Sequence, residues 1–152
     1  MGHVSIQPLV IDRINSCLGL FDAQLREHDI VTSWEEMRNI CQKVILHPEF
    51  GFLLEANCEE TPVGVIFVAA HLSLELGGTV GWIEELYVVP ASRGKGAGSM
   101  LLREATSRAK SLGWRGIELE IVAGHERVAS LYLRHGFDNL SRTRFRHLFD
   151  RG

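Results

Sequence analysis

The chain has 152 residues, 45% of them hydrophobic and 23% charged, with a formal net charge of −3. That length fits one domain with a single substantial core. The mildly acidic balance argues against a general nucleic-acid binder, and no apolar run is long enough to span a bilayer.

Taken in chain order, Val4 to Gln7 reads as a short first strand. From Ile11 to Glu27 the residues Ile14, Leu18, Phe21 and Leu25 recur at spacings of three and four, which is one face of a helix. Ser33 with Glu36 three residues on forms a capping box that opens a second helix to about Leu46, and His47-Pro48 ends it. Phe50 to Ala56 and Val63 to Leu74 are β-rich runs joined by the turn-like NCEETP, the pattern of an antiparallel hairpin. Trp82 to Val89 is the next strand, stopped by Pro90.

Ala97 to Leu112 carries a helical stripe of Leu101, Ala105, Ala109 and Leu112, with Glu104 and Arg108 spaced to pair and Gly113 placed to cap. Gly116 to Val122 reads as a strand, and His125 to His135 as a short helix ended by Gly136. Thr143, Phe145, His147 and Phe149 alternate with arginines, predicting a last strand with one wet face. The expected fold is a mixed α/β (α+β) domain over residues 1–152. Its twisted, mostly antiparallel sheet contains a central parallel strand pair and carries helices on both faces.

Three cysteines, Cys17, Cys41 and Cys58, form no C-x-x-C pair, so a reduced, cytosolic setting without a zinc ribbon or disulfide framework is expected. His125-Glu126 begins like H-E-x-x-H, but Ala129 stands where the second histidine belongs, so no metal is expected there.

The most informative stretch is SRGKGAGSM, residues 92–100. A strand ends, a glycine-rich turn follows, and an amphipathic helix starts at once. Unpaired N–H groups at a helix start, and glycines that let amides curl around an anion, make a phosphate site. Arg93 and Lys95 add charge at its mouth, and Ser99 offers a hydroxyl. Walker A fails because the only lysine lies between the glycines. G-x-G-x-x-G fails because Gly94, Gly96 and Gly98 are spaced by two.

Arg93-x-x-Gly96-x-Gly98 resembles the R/Q-x-x-G-x-G/A signature of the GNAT superfamily of acetyl-coenzyme-A-dependent N-acetyltransferases. HERVASLYLRHGF, residues 125–137, resembles that family's N-x-x-A-x-x-L-Y-x-x-x-G-F segment, with His125 for Asn and Val128 for Ala. The resemblance implies that the amides of Arg93, Gly94, Lys95, Gly96, Ala97, Gly98 and Ser99 hold the coenzyme A pyrophosphate. It further implies that Leu86 and Val88, with Tyr87 between them, offer main-chain groups to the pantetheine arm, and that His125 touches the cofactor.

An acceptor ammonium must lose a proton before it attacks a thioester. Glu84 and Glu85 sit mid-strand on opposite faces. Glu84 shares parity with Leu86 and Val88 and aligns with the catalytic glutamate of polyamine-acetylating members, which makes it the first choice of base. Glu85 is second, and a bulge would exchange them. Tyr132 matches the tyrosine that protonates the departing thiolate.

The resemblance thus implies direct transfer of an acetyl group from acetyl-CoA to a primary amine of a small molecule, without a metal, and is compatible with a homodimer. A peptide amine acceptor, or a non-catalytic acyl-CoA sensor, stays open. The acceptor pocket is expected between His28 to Trp34 and Leu74 to Trp82. The nearby Glu27, Asp29, Glu35, Glu36 and Glu75 would be placed to attract a cation.

Overall fold

The computed structural model describes residues 2–151. Five strands form one sheet in the order β1 (Val4–Pro8), β2 (Gly51–Cys58), β3 (Thr61–Ser73), β4 (Gly78–Val88) and β5 (Gly116–Glu118). The first three junctions are antiparallel, and β4 with β5 is parallel. The helices are α1 (Ile14–Glu27), α2 (Trp34–Leu46), α3 (Ala97–Ser111) and α4 (Ala129–Arg134). The mixed, mostly antiparallel sheet with one parallel pair is as the sequence predicts, but the pair lies at the edge of the sheet and not at its centre.

Both long N-terminal helices form where their apolar spacing places them. Ser33 caps α2, its Oγ accepting from the Glu36 N–H at 3.0 Å. Gly113 follows α3 at φ 77°, a conformation only glycine adopts without strain.

The core has two layers. On one face of the sheet α1 and α2 bury Ile14, Cys17, Leu18, Phe21, Met37, Cys41 and Val44 against Leu53, Val65 and Tyr87. On the other, Leu101, Leu102 and Ala105 of α3 pack against Leu54, Ala56, Ile66, Val68 and Ile83. Alternate residues of β2 serve alternate layers, as the period of a strand requires.

Two polar side chains, Glu55 and Asn57, are buried beside the first layer. Glu55 is 0% exposed. Arg13, at the entrance to α1, donates to it at 2.8 and 2.9 Å and to Asn57 Oδ1 at 2.9 Å, while Asn57 Nδ2 donates back to Glu55. The paired guanidinium supplies the donors that a buried carboxylate needs. This network docks α1 on β2. Cys17 lies beside it, its thiol pushed up to about 12, mainly by burial and then by the Glu55 charge.

Two further expectations need correction. β5 stops at Glu118 instead of running to Val122. And no strand forms over residues 143–149; the chain from Asp138 to Arg151 carries no regular secondary structure. Phe145 is 89% and Phe149 81% exposed, so the apolar face of the alternating run is left unburied, and burial of one face is what fixes a two-faced strand. Two of its three arginines, and Arg151 beyond it, are engaged elsewhere. Arg142 meets Glu75 at 2.6 Å, Arg144 meets Glu120 at 2.7 Å, and Arg151 meets Glu36 at 3.0 Å. The Arg144 guanidinium also lies 4.8 Å from the centre of the Trp82 ring. Among the described residues no helix is long and apolar enough to cross a membrane.

Candidate active site

The site is built around the second half of β4. β5 pairs with β4 only at Val80, Gly81 and Trp82, so beyond Trp82 that side of β4 has no neighbouring strand among the described residues. Val89 N–H donates to the Val63 carbonyl at 2.9 Å, and Val88 stands opposite Gly64. In an antiparallel ladder alternate residues turn their main-chain groups to opposite sides. Leu86 and Val88 therefore present theirs away from β3, along the open edge. The Val88 carbonyl already accepts from Arg93 Nε at 2.8 Å. What remains is a short row of main-chain groups able to bind an extended amide-bearing chain as a strand would.

The glycine turn lies at the end of this edge. Gly94 (φ 76°) and Gly96 (φ 93°) both need the left-handed region, and a Cβ built on either meets nothing within 4 Å. They are there for backbone conformation, with open space outside. Gly96 caps α3 without a side-chain hydrogen bond, and its carbonyl takes the first helical bond, from Met100 N–H at 2.9 Å. The amides of Ala97, Gly98 and Ser99 thus lack intrahelical partners and point out of the helix start, where the macrodipole favours an anion. Gly98 has ordinary helical geometry, and a Cβ on it would only touch Val88 Cγ2 at 3.8 Å. This open, uncapped turn fits a diphosphate.

The cationic side chains at the turn are used differently from the sequence expectation. Arg93 reaches back to Glu27 at the end of α1 (2.8 Å) and lies 5.2 Å from the centre of the Tyr87 ring. Lys95 Nζ donates to the Ala91 carbonyl at 3.1 Å. Both shape the loop from behind. His125 sits in the loop before α4 with its ring 4.8 Å from that of His28, at the end of α1. Ser99 Oγ is 3.1 Å from His135 Nε2, tying the start of α3 to the end of α4.

The two glutamates are separated by a register shift. Phe67 pairs with Glu85 but Val68 with Ile83, so Glu84 is the extra residue of a β-bulge. The shift changes which side chains share a face. Ile83, Leu86 and Val88 pack toward α3, while Glu85 joins Tyr87 on the α1 face. Glu84 is exposed and Glu85 half-buried. Burial pushes the Glu85 carboxyl up to about 7; a hydrogen bond with Gln24 of α1 lowers it, and the neighbouring Glu84 charge raises it. Tyr132 lies on α4 against the second core layer, edge-on to Phe137 at 5.7 Å, and burial raises its hydroxyl above the ordinary 10.

The acidic cluster expected around the acceptor pocket is largely engaged. Glu27, Glu36 and Glu75 are held by Arg93, Arg151 and Arg142. Gln24 is the neighbour that sequence reasoning missed; it lies on α1, whose approach to β4 no local motif encodes. The bulge did leave a trace, because the apolar positions Val80, Ile83 and Tyr87 break the period of two. No group of three or more His, Cys, Asp or Glu able to hold a metal occurs among the described residues.

The family model described as "Acetyltransferase (GNAT) family" matches residues 17–137. Among curated proteins no sequence matches the chain. Solved structures resemble it closely in fold. A predicted acetyltransferase with acetyl-CoA from Clostridium acetobutylicum superposes with TM-score 0.79 at 16% identity, over 95% of this chain and 96% of that one. Glucosamine-6-phosphate N-acetyltransferase from Arabidopsis thaliana gives TM-score 0.78 at 18% identity, over 97% and 99%. Ribosomal-protein-alanine N-acetyltransferase from Brucella melitensis biovar Abortus 2308 gives 0.76 at 16%, over 97% and 100%. At these identities the likeness is one of fold.

Proposed function

The chain belongs to the acetyltransferase (GNAT) family, and from that premise we propose that it transfers the acetyl group of acetyl-CoA directly to a primary amine of a small molecule. The observation that supports this most is the placement of Glu85. Its carboxyl, raised to about 7, stands one residue from the open edge at Leu86, which runs on to the glycine turn.

In this reading the free amides of the turn and of the first turn of α3 bind the diphosphate, and the β4 edge binds the pantetheine amides. An N–H of that edge donates to the thioester oxygen as negative charge develops there, a contribution on the order of 3 kcal/mol. Glu85 takes the proton of the acceptor ammonium, directly or through one water. A base with a value near the working pH combines a useful ionised fraction with adequate basicity. Gln24 holds its carboxylate. The neutral amine then attacks the carbonyl carbon, the C–S bond breaks and the thiolate takes the Tyr132 proton; the second proton of the attacking nitrogen passes to solvent to leave the neutral amide, and solvent reprotonates Tyr132. Burial keeps that tyrosine protonated throughout the neutral range. Glu85 replaces Glu84 as first choice because the bulge puts Glu84 in solvent.

The test is thiol release from acetyl-CoA with a panel of small primary amines and an N-terminally free peptide. Turnover on a small amine, sharply reduced in Glu85→Gln and Tyr132→Phe, supports the reading. Turnover on the peptide alone would move the acceptor to the protein class. Coenzyme A binding with no turnover on any amine would make the chain a sensor.

A further inference from the structure

The C-terminal segment joins the two walls expected for the acceptor pocket. On one wall, Arg142 holds Glu75 of the β3–β4 turn at 2.6 Å, and the Arg144 guanidinium lies 4.8 Å from the centre of the Trp82 ring. On the other, Arg151 holds Glu36, in the first turn of α2, at 3.0 Å. We propose that residues 142–151 form a strap across the mouth of this pocket, and that the acceptor it closes on is a monoamine carried on an aromatic or branched aliphatic body. The proposal rests on the acetyl-transfer reading above and names the substrate class of the same site.

The strap passes close to the proposed base. Phe67 stands opposite Glu85, and Ala69 opposite Trp82. These β3 residues are two apart, so Glu85 and Trp82 share the α1 face of the sheet, about 7 Å from one another along the strand. An acceptor nitrogen held at Glu85 therefore has the Trp82 indole beside it, with Arg144 of the strap over that indole.

The segments around the mouth carry apolar groups without cover. Val31 and Trp34 at the entry to α2, Leu72 and Leu74 beside the β3–β4 turn, and Phe145 and Phe149 of the strap are all exposed. Closure of the strap over an apolar ligand takes such side chains out of water. A polyamine would need free carboxylates instead, and Glu27, Glu36 and Glu75 each already hold a guanidinium. The stretch from Asp138 to Arg151 carries four arginines against two aspartates, which repels a second or third ammonium. One ammonium for Glu85, on an apolar body, suits both features. The ion pairs that hold the strap are exposed and individually weak, so it can lift and reseat.

Thiol release from acetyl-CoA with ethylamine, 2-phenylethylamine, 3-methylbutylamine, spermidine and an N-terminally free peptide compares the acceptors. It is run on wild type and on the double variant Phe145→Ser/Phe149→Ser, whose replaced side chains are exposed and outside the core. In wild type kcat/KM should be about tenfold higher for the two apolar amines than for ethylamine or spermidine, chiefly through KM. The double variant should lose most of that preference. Trypsin cleavage at Arg144 and Arg146 should slow when coenzyme A and 2-phenylethylamine are both present, a readout independent of turnover. Equal kcat/KM for all small amines, a preference for spermidine or the peptide, absence of protection, or a preference unchanged in the double variant would overturn the proposal and leave acetyl transfer intact. A dimer that dissociates in the double variant with acceptor preference unchanged would assign the two phenylalanines to a second copy of the chain and likewise overturn it. Coenzyme A binding with no turnover of any amine would overturn the functional reading and the proposal with it.

Discussion

Replacing Glu85 by Gln separates catalysis from stability, because the raised carboxyl works against one while serving the other. The folded value of about 7 lies above the ordinary 4.5, so the fold binds that proton more tightly than the unfolded chain does. The carboxyl therefore costs nothing below about pH 4.5, and stability falls as pH rises from there through 7. A displacement of this size corresponds to about 3 kcal/mol at pH 8, an upper bound because water reaches part of the group. Glu85→Gln removes the charge and keeps the shape. It should raise the melting temperature at pH 8 by several degrees and leave it nearly unchanged at pH 4.5. Its turnover should fall by about 10² to 10⁴. In wild type the ionised fraction of a group at about 7 rises roughly tenfold between pH 6 and 8, and turnover should follow it. Thermal melts and thiol release, both run across this range, check the pair of effects. A Glu85→Gln variant that keeps the wild-type pH profile, or that melts lower at pH 8, would refute the assignment; loss of that profile in Glu84→Gln would transfer the role to Glu84.

Tyr132→Phe should lower turnover about 10² to 10³-fold with little change in coenzyme A affinity, since only the proton for the leaving thiolate is removed; calorimetry beside kinetics reads both. Gly96→Ala places a Cβ in open space but at φ 93°, so it should cost about 1–2 kcal/mol by denaturant titration and weaken coenzyme A binding at the first amides of α3. Glu55→Ala leaves Arg13 and Asn57 without the carboxylate they share, and a loss of about 3–5 kcal/mol in urea titration is expected.

The conformation of the glycine turn was legible because its requirements are local: a positive φ, an absent side chain and a helix behind it are written at residues 93–99. Helix faces and the β2–β3 hairpin were legible for the same reason, each having its own period. The choice between Glu84 and Glu85 was not, since parity along a strand holds only while its pairing is regular, and the irregularity is set jointly with β3. The buried Glu55 was equally hidden, because its partner Arg13 lies 42 positions earlier in the chain. The C-terminal run misled in the opposite direction. Its alternation is a sound strand signal, yet a strand also needs a neighbour, and Arg142 and Arg144 meet carboxylates on two separate connecting segments.

The bulge at Glu84 has a consequence for how this chain is compared with others. There the number of residues matters more than the kind of residue, for a neutral side chain would still hold the following strand in frame. A gapless match of WIEELYVV to a relative with a regular strand would set Glu84 against a carboxylate that corresponds in space to Glu85. Against a relative whose strand is regular, an alignment faithful to the structure opens an insertion at position 84.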